Sequence, residues 1–85
     1  MDPIIITEST TIEDIFCYAM AEEKYAAAFY KKAATHVSDP IVKAFLIELA
    51  KKENEHFLDL KKKLEDLEAE HFSVVGILDS FDSNH

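Results

Sequence analysis

Three ionisable residues occupy positions where a helical pattern would otherwise place apolar side chains. They are Glu23, Glu53 and His56. Glu53 and His56 are three residues apart, so on one helix their side chains can converge on a single ion. Carboxylate oxygens combined with an imidazole nitrogen favour iron or manganese, accept zinc, and are poorly suited to calcium or magnesium. The residue types and their spacing therefore predict a transition-metal site.

The apolar residues around these positions predict two long helices. In each helix the inward positions alternate at spacings of four and three, which is the seam of a left-handed helical bundle. The seam of the first helix is Ile12, Phe16, Ala19, Glu23, Ala26, Tyr30, Ala33 and Val37. The seam of the second helix is Val42, Leu46, Leu49, Glu53, His56, Leu60, Leu64 and Leu67. The polar residues interrupt both seams.

Local signals predict where these helices begin and end. The spacing Thr10-x-x-Glu13 predicts a capping box at the start of the first helix. The turn over residues 36–40 ends that helix, and its Asp39 is expected to cap a second helix running to about Glu70. Helices joined by so short a connection fold back on each other. The predicted fold is an all-α, two-helix antiparallel hairpin.

The division of the chain follows from these boundaries. We expect an extended N-terminal segment over residues 1–9, the helical hairpin over residues 10–71, and an apolar C-terminal tail over residues 72–85. The helical pattern of the second helix breaks at Gly76. The tail carries six sizeable apolar side chains, more than an ordinary disordered end contains.

The rise of an α-helix shows whether the two carboxylates meet. Glu23 lies about 12 residues, or roughly 18 Å, before the end of the first helix. Glu53 lies about 13 residues, or roughly 20 Å, past the start of the second. The two carboxylates are therefore expected to face each other across the hairpin, with His56 about one turn further along.

A hairpin of this size leaves its seam open, and with an acidic pair on that seam we expect that the chain is not stable as a monomer. A homodimer, or a higher even oligomer, would close the seam into a ferritin-like four-helix bundle. A two-fold axis through the polar layer then gathers four Glu and two His at one level, where two divalent cations cancel four negative charges. A Glu from each of two helices and a Glu-x-x-His pair from each of the others is the ligand set of di-iron and di-manganese bundles.

At these residues the chain resembles the rubrerythrin branch of the ferritin-like superfamily. The blocks AEEKYAAAFYKKA, DPIVKAF and ELAKKENEH carry the resemblance, which covers roughly residues 12–68. The chain has a single helix pair, and in this it resembles the half-length encapsulated ferritins, which assemble their site between subunits. It also lacks the Cys-rich electron-transfer module of rubrerythrins, so an external electron donor would be needed for repeated turnover.

The resemblance implies a site and a chemistry. It implies two iron ions per dimer, with manganese as an alternative, held by Glu23, Glu53 and His56. Tyr30 matches a tyrosine that can hydrogen-bond these ligands from the second layer around the metals. The implied activity is that of a ferroxidase or peroxidase-type oxidoreductase, in which Fe(II) reacts with dioxygen or peroxide for iron handling or oxidant defence.

The tail carries a separate resemblance. The run Val75-Gly76-Ile77-Leu78 resembles the short C-terminal peptides that direct cargo into encapsulin shells. A tail acting in this way would make the shell a partner and place the protein inside an encapsulin compartment. The alternative is that residues 72–85 pack on the bundle or on a neighbouring subunit.

Charge and composition narrow the partners. Seventeen acidic against nine basic groups give a net charge of -8, which opposes binding to nucleic acid and to anionic lipid. The single Cys17 excludes an intramolecular disulfide and a Cys-ligated iron centre within this chain. The N-terminus has a short apolar run and contains no basic residue. We therefore expect no signal peptide and no membrane span, and we expect the protein to be cytoplasmic.

Four alternatives remain open on sequence grounds. Glu23, Glu53 and His56 would all be solvated surface residues if the seams were misphased. Glu22 would replace Glu23 if the first helix were rotated. The chain would be a non-catalytic helical dimerisation or cargo module if its polar layer held a structural metal or none. It could also be a metal store or carrier, which would have the same sequence features as a ferroxidase.

Overall fold

The computed structural model describes residues 5–83, with side chains described for residues 5–70. In that part of the chain the structure consists of two α-helices and no strands. Helix α1 is Ile12–His36 and helix α2 is Pro40–Ser83. The two helices pack against each other, so the predicted all-α hairpin is confirmed. Neither helix contains a described stretch that is both long and apolar enough to span a bilayer.

Helix α1 starts one residue later than the sequence predicted. Thr11 is the N-cap: its Oγ1 accepts from Asp14 N at 3.0 Å, and Asp14 Oδ2 accepts from Thr11 N at 3.0 Å. The predicted capping box at Thr10 and Glu13 is therefore wrong. The reason is that Thr10 closes the preceding turn, in which Thr10 N donates to Thr7 O at 3.1 Å and Thr7 N donates to Thr10 Oγ1 at 2.8 Å.

The turn between the helices is built as predicted. Asp39 Oδ1 accepts hydrogen bonds from Ile41 N at 2.8 Å and from Val42 N at 3.4 Å. Asp39 O also accepts from Lys43 N at 2.9 Å, which begins the helical ladder. The backbone of Val37 is extended, with φ -104 and ψ 143, and this ends α1. The cap by Asp39 thus sets the start of α2 four residues after His36, the last residue of α1.

Helix α2 runs to Ser83, so the expectation that it ends near Glu70 is wrong. The break that we predicted at Gly76 does not occur, because one glycine inside a helix costs only about 1 kcal/mol, whereas proline costs about 3. After Pro40 the sequence contains no further proline. The contacts of the side chains in residues 72–85 lie outside the described residues, and the encapsulin and packing interpretations of that tail stay predictions.

The contact between the helices is made at its closest points by alanine. Ala27, Ala34 and Ala50 are the buried apolar residues of the described chain, at 7%, 5% and 2% exposure. Larger side chains beside them are half-buried: Phe16, Tyr30, Leu46, Leu49, Phe57, Leu60, Leu64 and Leu67. The Cα positions extend 70 × 24 × 11 Å, so the hairpin is a single layer of two helices. One layer cannot enclose a core of large side chains.

Large apolar side chains consequently remain exposed along the seam. Ile12 and Ile15 are exposed near the start of α1, and Val42 and Phe45 are exposed near the start of α2. Ile12 and Val42 belong to the two seams, and Ile15 and Phe45 each follow a seam residue by three positions. An exposed apolar row of this length marks an interaction surface.

The cap at Asp39 can be tested by substitution. Asp39→Ala should lower the free energy of unfolding by about 1 kcal/mol, because the amide of Ile41 loses its side-chain acceptor. Urea denaturation at fixed protein concentration would measure the change. Asp66→Ala is the matched control: its carboxylate pairs with exposed Lys62 at 3.3 Å, and its loss should cost less than about 0.5 kcal/mol. Equal losses in the two variants would contradict the capping role.

Candidate metal centre

The structure brings the three predicted ligands together at the middle of the hairpin. Glu23, Glu53 and His56 each offer one ligand atom, and these atoms lie within 4.8 Å of one another. His56 Nδ1 is 3.5 Å from Glu23 Oε2 and 3.7 Å from Glu53 Oε2. Both distances are longer than an ordinary hydrogen bond of about 2.7–3.2 Å. His56 therefore approaches both carboxylates without bonding tightly to either, as one ligand of an ion would.

The lengths of the helices explain this meeting. Glu23 lies 13 residues before His36, the last residue of α1, and Glu53 lies 13 residues after Pro40, the first residue of α2. Each carboxylate is therefore roughly 20 Å from the turn. The predicted placement of the carboxylates across the hairpin is borne out, while metal binding by these residues stays a prediction.

Burial distinguishes the two carboxylates from the imidazole. The side chains of Glu23 and Glu53 are 25% and 23% exposed, whereas that of His56 is 57% exposed. Glu23 Oε2 is buried and has no hydrogen-bond partner. Withdrawing an ionised oxygen from water without a partner is costly, and a bound cation removes that cost. The orphaned oxygen and the mixed donor set both fit a transition metal held by these residues.

The electrostatics of the cluster agree with this fit. A hydrogen bond to the Glu53 carboxyl, then burial, then repulsion by the Glu53 charge, raise the pKa of Glu23 above its ordinary value of 4.5. His56 acts in the opposite direction, but the balance is an increase. The two carboxyl groups resist carrying two negative charges because no positive charge beside them compensates for the repulsion. A divalent cation between them would supply that charge.

The alternative in which Glu22 replaces Glu23 is not the arrangement in the structure. Glu22 is exposed and does not belong to the cluster. The alternative that all three predicted ligands are solvated also fails for Glu23 and Glu53, which are largely covered. His56 is the exposed member of the three.

Tyr30 is half-buried on the seam, seven residues after Glu23. Its ring contacts that of Phe29 edge to face, with centroids 5.6 Å apart and planes inclined by 71°. Seven residues correspond to roughly 10 Å along the helix. A hydrogen bond from the Tyr30 hydroxyl to a ligand carboxylate stays a prediction.

Lys24 is a residue near the site that the sequence pattern did not reveal. Its position is off the seam of the first helix, but in the structure its Nζ lies 4.6 Å from the centroid of the Phe57 ring on α2. Lys24 follows Glu23 and Phe57 follows His56, so this cation–π contact joins the helices beside the cluster. Such contacts contribute about 0.5–1 kcal/mol at exposed sites. Together with the alanine contacts, it helps to fix the rotation of one helix against the other.

The hairpin and its cluster have the plan of one half of a carboxylate-rich, helical metal bundle: a Glu on one helix and Glu-x-x-His on the next. A family model described as Rubrerythrin matches residues 1–64, which is most of the chain. The protein therefore belongs to the rubrerythrin family, and the predicted family is confirmed. Proteins of this family typically bind iron, so membership indicates a di-iron protein. No curated protein and no solved structure matches the chain.

The raised pKa of Glu23 has a consequence for the metal-free protein. Because the folded state holds this proton more tightly than the unfolded state, the contribution to stability is present below about pH 4.5 and is lost as the pH rises through the raised pKa. The free energy of unfolding of the chelator-treated wild type should therefore fall over this window relative to that of Glu23→Gln.

Urea denaturation at a series of pH values would measure this difference. Glu22→Gln, one position away and outside the cluster, is the control and should follow the wild type. A Glu23→Gln variant with the same pH profile as the wild type would contradict the electrostatic coupling between Glu23 and Glu53.

Proposed function

We propose that the chain is a non-haem di-iron protein that oxidises Fe(II) with dioxygen or peroxide, at a site shared between two subunits. Each subunit contributes Glu23, Glu53 and His56, and each dimer holds two iron ions, with manganese as the alternative metal. The observation that carries the proposal is the buried, unpartnered Oε2 of Glu23 within a cluster of three metal-ligand residues. Iron handling or oxidant defence is the corresponding physiological role.

The incomplete ligand set of one chain argues for a shared site. Three protein donors leave the coordination of an iron ion unfilled. The side chain of His56 is exposed, on a side of the hairpin that a second copy could cover. A second copy placed on that side would bring three more donors to the same level. In carboxylate bundles four helices surround the ions, and one chain supplies two.

The apolar residues on either side of the cluster suggest how two copies meet. Ile15 lies eight residues before Glu23 on α1, and Phe45 lies eight residues before Glu53 on antiparallel α2. These positions are therefore roughly 12 Å from the polar layer, in opposite directions along the hairpin. A two-fold axis through the polar layer and perpendicular to the helices would bring Ile15 of one copy level with Phe45 of the other. Such self-complementarity is what a symmetric dimer interface requires.

The chain's own residues would act by position and charge. The anionic carboxylates of Glu23 and Glu53 stabilise a more highly charged ion better than a less charged one, and His56 adds a neutral nitrogen donor. Buried Ala27 and half-buried Ala26 and Leu60 limit the access of water to this level. Bound iron would supply the redox chemistry that reduces dioxygen or peroxide.

Two further proposals concern the setting. Because Cys17 is the single cysteine of this sequence, repeated turnover would draw electrons from a separate donor protein. The net charge of -8 favours a location away from nucleic acid and anionic membrane, and we propose the cytoplasm, or an encapsulin compartment within it.

Substitution of one ligand tests the catalytic proposal. Glu53→Ala should reduce bound iron from about one ion per chain to a small fraction of that, and slow Fe(II) oxidation at least ~10-fold, because half of each carboxylate pair is lost. Anaerobic metal analysis, followed by admission of air while ferric absorbance is recorded, would measure both quantities.

The control is Glu55→Ala, an exposed carboxylate two residues away with the same formal charge. It should bind and oxidise iron as the wild type does. Undiminished Fe(II) oxidation by Glu53→Ala would refute the assignment. Wild-type protein that forms a metal-free dimer and does not oxidise Fe(II) would instead support the non-catalytic dimerisation module.

A seam substitution tests the shared site separately from the ligands. Phe45→Glu places a charge on the exposed apolar row and should separate the two copies that share a site, lowering the mass of the assembly, with loss of iron binding although every ligand residue is intact. Leu58→Glu, at another exposed apolar position of α2, should leave the dimer and its iron unchanged. Light scattering gives the mass, metal analysis the iron, and circular dichroism the retained helix. An iron-loaded Phe45→Glu monomer would contradict a site shared between subunits.

A further inference from the structure

A groove lies on the outer side of α1, on a face that does not carry Glu23. Its volume is about 490 Å³. It is lined by Tyr25, Ala28, Phe29, Lys32, Ala33 and His36. Tyr25, Phe29, Lys32 and His36 are spaced four, three and four residues apart, which is the spacing of a helical seam. Tyr25 and Phe29 are 61% and 59% exposed, so this second row has little cover from the residues that the structure describes.

The groove lies in a basic stretch of an acidic protein. Residues 24–38 contain no acidic residue and four basic or imidazole groups: Lys24, Lys31, Lys32 and His36. Residues 1–23 contain no basic residue and six acidic ones. Two segments of the same chain therefore carry opposite charge, and copies of the chain can attract each other head to tail.

The N-terminal segment has the chemistry that would fill this groove. Ile5 and Ile6 are 83% and 68% exposed, and Glu8 follows them on the exposed turn. Two adjacent apolar side chains with a nearby carboxylate match an apolar groove with Lys32 and His36 on its margin. The segment carries no secondary structure over residues 5–7, so its backbone can adopt an extended conformation in a groove.

The segment is too short to fill the groove of its own chain. Phe29, near the middle of the groove, is 17 residues or roughly 25 Å beyond Ile12 along α1. Ile5 precedes Ile12 by seven residues, which span at most about 25 Å when fully extended. The turn closed by Thr10 N and Thr7 O uses up part of that length. If residues 5–8 fill the groove, they therefore do so from another copy.

We infer that residues 5–8 of one copy dock into the outer groove of α1 of another copy, with Ile5 and Ile6 in the groove and Glu8 beside Lys32. This contact joins unlike surfaces, so it builds a closed ring or an extended chain of subunits rather than a symmetric pair. The groove shares Ala33 with the seam, but its other lining residues lie off the seam, so both contacts can form at once. A dimer carries two copies of residues 5–8 and two grooves. Binding at one groove therefore strengthens binding at the other. The inference goes beyond the proposed function and needs no metal.

Charge exchange between the two partners tests the pairing. The mass of chelator-treated wild type, measured by light scattering over a range of concentrations, should exceed that of a dimer. Lys32→Glu should weaken this assembly at least ~10-fold, and addition of Glu8→Lys to it should restore the assembly. The double variant Ile5→Ser with Ile6→Ser should weaken the assembly as strongly as Lys32→Glu.

Lys31→Glu is the matched control, because it makes the same charge change at the next residue, outside the groove. It should assemble as the wild type does. A wild type that never exceeds a dimer, equal effects of Lys31→Glu and Lys32→Glu, or no restoration by Glu8→Lys would each overturn the inference.

Cross-linking gives a second readout in a Cys17→Ser background. An Ile6→Cys chain mixed with an Ala28→Cys chain should form the mixed disulfide several times faster than the same chain mixed with Asn54→Cys, an exposed position on α2. Equal rates would overturn the inference. Iron oxidation by the Lys32→Glu protein should remain that of the wild type, and Glu53→Ala should still assemble, so the failure of one proposal would be distinguishable from the failure of the other.

Discussion

The approach of the Glu23 and Glu53 carboxylates across the hairpin is the interaction on which the rest of the structure depends. Two acidic groups this close raise the pKa of Glu23 and leave one of its oxygens buried without a partner. Nothing in a helical hairpin requires such a pair, and an apolar pair at the same level would stabilise the fold better. The arrangement is understandable when a cation supplies the missing charge. The polar layer then lowers the stability of the metal-free hairpin because it serves metal binding.

The single-layer shape of the hairpin is the second constraint. Alanines let the two helices approach closely, but they bury little area, and large apolar residues stay exposed on both sides of the cluster. A chain of this size gains stability by acquiring a second layer. The proposed dimer would cover the exposed apolar residues and complete the ligand set, since both lie on the same surface.

The two faces of α1 take part in two different contacts in the proposed assembly. The face with Glu23 is interrupted by a carboxylate and suits a symmetric partner that brings the same residues. The outer face with Tyr25 and Phe29 is bordered by basic groups and suits an acidic, apolar segment. Because the faces differ in charge, one helix can take part in two kinds of contact without competition between them.

Sequence alone determined the hairpin, the Asp39 cap and the meeting of Glu23, Glu53 and His56, because helical periodicity and rise fix which residues share a face and a height. It misplaced the N-cap by one residue, since adjacent threonines compete for local hydrogen bonds and only the folded turn shows that Thr10 is engaged with Thr7. It ended α2 too early because a single glycine is a weak helix breaker. The contact of Lys24 with Phe57 and the outer groove depend on how two helices are rotated about alanine contacts, and that rotation is set by tertiary packing rather than by any local pattern.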